Sequence, residues 1–143
     1  MGGSQPSTVT YTLESSLDSV NRVEQTAEEM ARKAGLEDEE VFRVAMAVRE
    51  AAVNAVLHGN AYDPEKRMTA SFEHTADSLV IRIADQGKGL NPDSLPDPLA
   101  PENLLRTSGR GIFLIRSFMD DVQLRHLESG GTEVTLVKNV ESK

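Results

Sequence analysis

The chain contains no cysteine, which excludes a disulfide framework and any thiolate-ligated metal and fits a reducing compartment. A bound metal would have to be held by oxygen or imidazole nitrogen. Basic side chains are also scarce. Fifteen Lys and Arg stand against 23 Asp and Glu, a formal net charge of -8. Affinity for nucleic-acid phosphate comes from Lys and Arg displacing counterions, so direct nucleic-acid binding is not expected. A basic partner, or an anion bridged by magnesium, is easier to accommodate. No apolar run approaches the roughly 20 residues needed to span a bilayer. The opening Met1-Gly2-Gly3-Ser4-Gln5-Pro6 lacks the charged and apolar order of a signal peptide. Internal repeats and domain-splitting linkers are absent too. At 143 residues the expectation is one domain that buries about two thirds of its unfolded surface. The protein is read as soluble and cytoplasmic, with residues 1–7 a disordered N-terminus, a domain over 8–138 and a tail at 139–143.

What is present is periodic. Val9, Tyr11 and Leu13 alternate with Thr8, Thr10 and Thr12, which predicts an opening strand. Leu17, Val20, Val23, Ala27, Met30, Ala31 and Ala34 then recur at helical spacing, with Ser15 or Ser16 to cap the start and Gly35 to end it. A second helix is predicted from Asp38 to His58-Gly59. Met68, Ala70 and Phe72 alternate as a strand, residues 79–84 form another, and Thr75-Ala76-Asp77 joins them as an antiparallel hairpin. Residues 91–108 carry four of the six prolines and no apolar period. A loop of that length inside a compact domain is usually a lid or binding loop. Helical spacing resumes at Gly111 with Ile112, Ile115 and Met119. Strands follow at 122–127 and, after Gly130-Gly131, at 132–137. The order predicts an α+β fold, a two-layer sandwich with a mostly antiparallel sheet covered on one face by helices.

Three motifs carry chemistry. On the second helix, at about 100° per residue, Val41, Val44, Ala45, Val48, Ala52, Ala55 and Val56 share one arc, while Arg43, Ala47, Glu50 and Asn54 lie opposite. Glu50 and Asn54 are therefore neighbours one turn apart. A solvated helix face is the ordinary explanation of such a pair. Against it, Asn is a poor mid-helix residue, and its neighbours are mostly small or apolar. A carboxylate can take a proton from an attacking hydroxyl, and a neutral amide oxygen can hold magnesium without neutralising it. Asp85 ends an apolar strand, where its acceptor-only carboxylate suits a donor such as an exocyclic amine. Gly87 and Gly89 allow a ligand close to the backbone, although Asp-x-Gly-x-Gly also recurs in plain turns. Gly109-Arg110-Gly111 opens a helix, where free N–H groups and the Arg suit phosphate. A helix terminus contributes only ~0.3–1 kcal/mol to anion binding, whereas micromolar affinity requires about 8 kcal/mol. Base recognition and a metal bridge must supply much of the rest.

The ordered set resembles the nucleotide boxes of the GHKL (Bergerat-fold) ATPase superfamily. Glu50-Ala51-Ala52-Val53-Asn54-Ala55-Val56-Leu57-His58-Gly59-Asn60 is similar to its N box, Asp85-Gln86-Gly87-Lys88-Gly89 to its first glycine box and Ser108-Gly109-Arg110-Gly111 to its second. Gly131-Thr132 resembles its closing glycine-threonine. Within the superfamily the chain most resembles RsbW-type anti-sigma factor serine kinases, notably at Gly109-Arg110-Gly111-Ile112-Phe113-Leu114-Ile115 and Phe118-Met119-Asp120-Asp121-Val122. The resemblance implies ATP and magnesium bound under a mobile lid, with Glu50 the catalytic base, Asn54 the Mg ligand and Asp85 the reader of the adenine amino group. Gly87 and Gly89 would line the nucleotide, Gly109, Arg110 and Gly111 would meet the phosphates, and Thr132 would complete the nucleotide site. His58 either reaches a phosphate or terminates its helix. Arg22, on the first helix, is either a partner-docking residue or a solvated charge. The implied activity is phosphorylation of a Ser or Thr on a STAS-type anti-anti-sigma protein, with sequestration of a sigma factor, by a homodimer. Two departures are Leu90, where an aromatic is common, and Lys88 beside the lid. Sensor histidine kinases share the fold but need a dimerising helix pair with the acceptor His, for which a chain of this length has no room. The alternatives are an ATP-binding partner-switching module with little kinase activity, or a stand-alone histidine-kinase-like ATPase.

Overall fold

The computed structural model describes residues 7–60, 63–87, 111–128 and 130–140. Strand β1 (Ser7–Glu14) leads into helices α1 (Leu17–Lys33) and α2 (Asp38–Asn54), the latter continued by a π-turn at Ala55–Gly59. The hairpin β2 (Arg67–His74) and β3 (Ser78–Ala84), helix α3 (Gly111–Phe118), and strands β4 (Asp121–His126) and β5 (Thr132–Asn139) follow.

Local chemistry sets the helix ends. Ser16 is the N-cap of α1, its Oγ accepting the Ser19 N–H at 3.3 Å. Ser15 turns inward instead. At the other end Gly35 adopts φ +91. Its N–H reaches the Arg32 carbonyl at 3.0 Å and the Leu36 N–H the Ala31 carbonyl at 3.2 Å. These are the two bonds of a Schellman cap, which needs a left-handed residue that glycine supplies at no steric cost. In the β2–β3 turn, Thr75 Oγ1 accepts the N–H groups of Asp77 and Ser78, a side-chain substitute for a backbone turn.

Every strand pair is antiparallel, in the order β1-β2-β3-β5-β4. Alternation gives four of the strands a buried face: Met68, Ala70 and Phe72 on β2, Leu79, Ile81 and Ile83 on β3, Val134 and Leu136 on β5, Val122 on β4, while Val9, Tyr11 and Leu13 on β1 are half-buried. The three helices cover that face. Their side chains Val20, Val23, Val41, Val44, Val48 and Ile115 complete a single core. Each such side chain contributes on the order of 1.5–3 kcal/mol by leaving water. Lys138, only 13% exposed, ties β5 to α2 through Glu40 at 2.9 Å. Asp120 closes the α3–β4 turn: its N–H donates to the Val137 carbonyl and its Oδ2 accepts the Asn139 N–H.

The helical wheel of α2 is wider than predicted. The apolar arc is buried as expected, but Ala47 (0%) and Asn54 (6%) on the opposite arc are buried as well. Helix α2 lies between α1 and α3 and contacts both, so small side chains are needed on two flanks rather than one. Beyond Asn54 the helix loosens to i→i+5 bonding, with the Asn60 N–H on the Ala55 carbonyl at 2.8 Å. Such π-turns concentrate at functional sites.

Candidate functional site

Glu50 is half-buried on α2, with Asn54 one turn later. Asn54 Nδ2 donates to the Glu50 carbonyl at 2.8 Å and to Glu50 Oε2 at 3.2 Å. These bonds fix the carboxylate and the amide as a unit. They also turn the amide nitrogen toward Glu50, so that Oδ1, the atom able to ligate a cation, lies at the far end of the group. Among the described residues no three His, Cys, Asp or Glu cluster to hold a metal by themselves. A single amide oxygen such as Asn54 Oδ1 fits magnesium, which keeps several waters and is commonly held by one or two protein oxygens together with substrate phosphates.

The second half of the site is on the sheet. Asp85 extends the β3–β5 ladder by one residue, its N–H donating to the Thr132 carbonyl at 3.0 Å. The residue is 9% exposed. Oδ1 accepts two backbone bonds, from Gly87 N–H at 3.0 Å and Thr132 N–H at 3.1 Å. Among the described residues Oδ2 accepts none, so the carboxylate is oriented with one oxygen committed and one available to a ligand. Burial raises the Asp85 pKa above its ordinary value; the two N–H bonds and the positive charges of Lys66 and His126 act in the opposite direction. Gly131 makes this approach possible. It has φ +94, and a Cβ there would run into the Asp85 carbonyl oxygen.

Between the halves lies a polar hub. Asn60 is completely buried and uses its whole side chain. Nδ2 donates to Ser15 Oγ at 2.8 Å and to the Arg67 carbonyl at 2.9 Å, and Oδ1 accepts the Gln86 N–H at 2.7 Å. Ser15 Oγ in turn donates to the Lys66 carbonyl at 2.8 Å, and Gln86 Oε1 accepts the Arg67 N–H at 2.6 Å. The hub joins the end of the α2 helix to the residue that follows Asp85.

Comparison with known proteins fits this arrangement. Residues 13–138 match the histidine kinase-like ATPase domain. The serine-protein kinase RsbW of Halalkalibacterium halodurans is 30% identical over 94% of this chain and 84% of its own length. That of Staphylococcus epidermidis is 31% identical over 92% and 86%. The chain belongs to the histidine kinase-like ATPase family, among its RsbW kinases. A Listeria innocua RsbW is 28% identical over 80% of this chain and 75% of its own length. Two solved structures share the fold. The crystal structure of the RsbU and RsbW domains of a Mycobacterium tuberculosis protein has TM-score 0.67 and 16% identity over 96% of this chain and 33% of that one. The mycobacterial sensor histidine kinase MprB has TM-score 0.55 and 14% identity over 96% and 100%.

Set against the family's boxes, Glu50 with Asn54 and Asp85 with Gly87 and Thr132 form two hydrogen-bonded groups. His58 and Gly59 fall in the π-turn rather than in the α-helix predicted through them, and Gly111 starts α3. Gly89, Gly109, Arg110 and the lid at 91–108 lie outside the described residues, as do Lys88 and Leu90. Arg22 is exposed, its guanidinium 4.7 Å over the Tyr11 ring, a cation–π contact that holds the charge against β1. Sequence reasoning missed the part Asn60 plays in the hub, for which the local signal is a polar residue directly after a helix-ending glycine.

Proposed function

We propose that the chain is an ATP-dependent protein serine/threonine kinase that acts as an anti-sigma factor. It phosphorylates a STAS-type anti-anti-sigma protein and sequesters a sigma factor in a partner switch. The observation that carries this reading is the Glu50–Asn54 unit, a carboxylate braced at 3.2 Å by a buried amide, in the same domain as a desolvated, backbone-held Asp85. A protein that only bound nucleotide would have no use for the base.

In this reading Asp85 Oδ2 accepts from the exocyclic amino group of adenine. Asn54 Oδ1 would ligate magnesium, which when bound supplies neutralisation of the phosphate charge. Glu50 takes the proton of the partner's Ser or Thr hydroxyl as that oxygen bonds to the γ-phosphorus and the bond to the β–γ bridging oxygen breaks. Gly89, Gly109, Arg110 and Gly111 surround the phosphates, and Thr132 stands beside the base. The reading includes a homodimer and a cytoplasmic location, with Arg22 at the partner-facing surface.

The test is incubation with magnesium ATP and the STAS proteins of the same genome, with phosphate located by mass spectrometry. Phosphorylation of one Ser or Thr on one candidate is expected. Stable complexes with no modification of any candidate would favour a binding module instead. Glu50→Gln should keep ATP affinity and lower transfer by at least about a hundredfold, the scale of a lost general base. Transfer at the wild-type rate would remove Glu50 from that role.

A further inference from the structure

The ladder places a third polar side chain in line with Asp85 and Thr132. In the β4–β5 register His126 is the partner of Thr132, Leu124 of Val134 and Val122 of Leu136. Val134 and Leu136 are in turn the partners of Ile83 and Ile81. Antiparallel partners share a face, so His126, Thr132 and Asp85 form a row on the inner, helix-covered face, directly beyond the apolar rows of the core. Continued toward the other edge, the row holds Met68 and Leu13, themselves partners on β2 and β1. One half of the row is apolar and the other polar.

Within the polar half, His126 is unusual. Its Nε2 is buried, and among the described residues it makes no hydrogen bond. A buried ring nitrogen without a partner costs free energy that a folded protein normally avoids. Asp85 and Thr132 satisfy each other through backbone bonds, whereas His126 is left with an unmet requirement on the same face. Its charge also acts on Asp85 across the row. Strands are spaced about 4.8 Å apart, so two spacings separate Asp85 from His126 by on the order of 10 Å, the reach from amino group to N3 across the six-membered ring of a purine with a hydrogen bond at either end.

We propose that His126 is a base-specificity residue, its Nε2–H donating to ring nitrogen N3 of a bound purine while Asp85 holds the amino group at the opposite edge. The inference rests on the ATP reading above and adds a second recognition contact to it. A cytosine held at Asp85 by its amino group would turn N1 toward His126, and N1 carries the ribose and cannot accept; a purine without N3 would leave Nε2 without an acceptor.

The experiment is a titration of the full chain with ATP, CTP and 3-deaza-ATP, for wild type, His126→Phe and His126→Gln. Phe keeps the ring without the nitrogen; Gln carries an amide near the position of Nε2. One hydrogen bond corresponds to roughly a two- to tenfold change in Kd. ATP should bind His126→Phe weaker by that factor and His126→Gln close to wild type. 3-deaza-ATP should lose the same factor on wild type and nothing further on His126→Phe. The unliganded melting temperature of His126→Phe should match or exceed that of wild type, because a buried orphan has been removed. ATP and 3-deaza-ATP binding wild type equally would overturn the proposal even if a variant failed to fold. So would equal losses for both nucleotides on His126→Phe. Absence of ATP binding by wild type would instead overturn the nucleotide reading beneath it.

Discussion

In the proposed role Asp85 has opposing requirements in folding and in recognition. To accept from an amino group it must be ionised, yet burial favours its neutral form and raises its pKa above 3.8. A folded pKa above the unfolded one means that the associated stability is full below the unfolded value and is lost as pH rises through the folded value. At neutral pH the charged side chain is therefore a net cost to the fold. Asp85→Asn keeps an Oδ1 acceptor for the Gly87 and Thr132 N–H groups and discards the buried charge. Its unliganded melting temperature is expected to equal or exceed that of wild type, while ATP affinity falls roughly ten- to hundredfold as a donor replaces the free acceptor. A melting temperature several degrees below wild type would contradict this account of the charge. Wild-type affinity should also weaken on acidification at a pH above the range of an ordinary exposed Asp, and the Asp85→Asn variant should show no such decline. Calorimetric titration across a pH series measures both.

At the level of elements, the π-turn and Asn60 act together. The i→i+5 bond from Asn60 to Ala55 inserts one extra residue before the helix ends and turns the amide inward toward Ser15, Arg67 and Gln86. Asn60→Ala leaves the Gln86 N–H and the Arg67 carbonyl without these partners. A loss of about 2–4 kcal/mol in urea unfolding is expected, with a raised KM for ATP because the residue after Asp85 is released. A change below 0.5 kcal/mol would show that water replaces the amide at no cost. This element also marks the limit of what the sequence discloses. The Gly35 end of α1, a cap at Ser15 or Ser16 and the alternation of β2 and β3 were legible because each depends on neighbours within five residues. The π-turn was not. Val56 and Leu57 keep the helical pattern, and what draws Asn60 inward are partners 45 and 26 residues away in sequence. Burial of Ala47 and Asn54 on the supposed outer arc was hidden for the same reason, since it depends on tertiary packing around α2. Glu50, Asn54 and Asp85 could be singled out as candidates because their residue types are unusual for their positions. His126 could not, because one His in a strand has no meaning until the register puts it beside Thr132.

Across the whole molecule, the candidate site is divided between the two layers, with Glu50 and Asn54 on a helix and Asp85, Thr132 and His126 on the sheet. A ligand that touches both layers binds the folded state and not the unfolded chain, so it must raise the unfolding temperature. At a hundredfold excess over Kd the stabilisation is about 2.7 kcal/mol. For a domain of this size each kcal/mol moves the midpoint by roughly 2–4 °C, so magnesium ATP should raise wild-type melting by about 5–11 °C in a fluorescence or calorimetric scan. Glu50→Gln should retain the whole of that shift, because a base that acts on the partner's hydroxyl contributes to the reaction and not to ground-state affinity. Asp85→Asn should lose most of it from an equal or higher starting point. The two variants thus separate the layers by function as well as by position. If Glu50→Gln lost the shift as fully as Asp85→Asn, Glu50 would belong to nucleotide binding, and the assignment of chemistry to the helical layer and recognition to the sheet would be wrong.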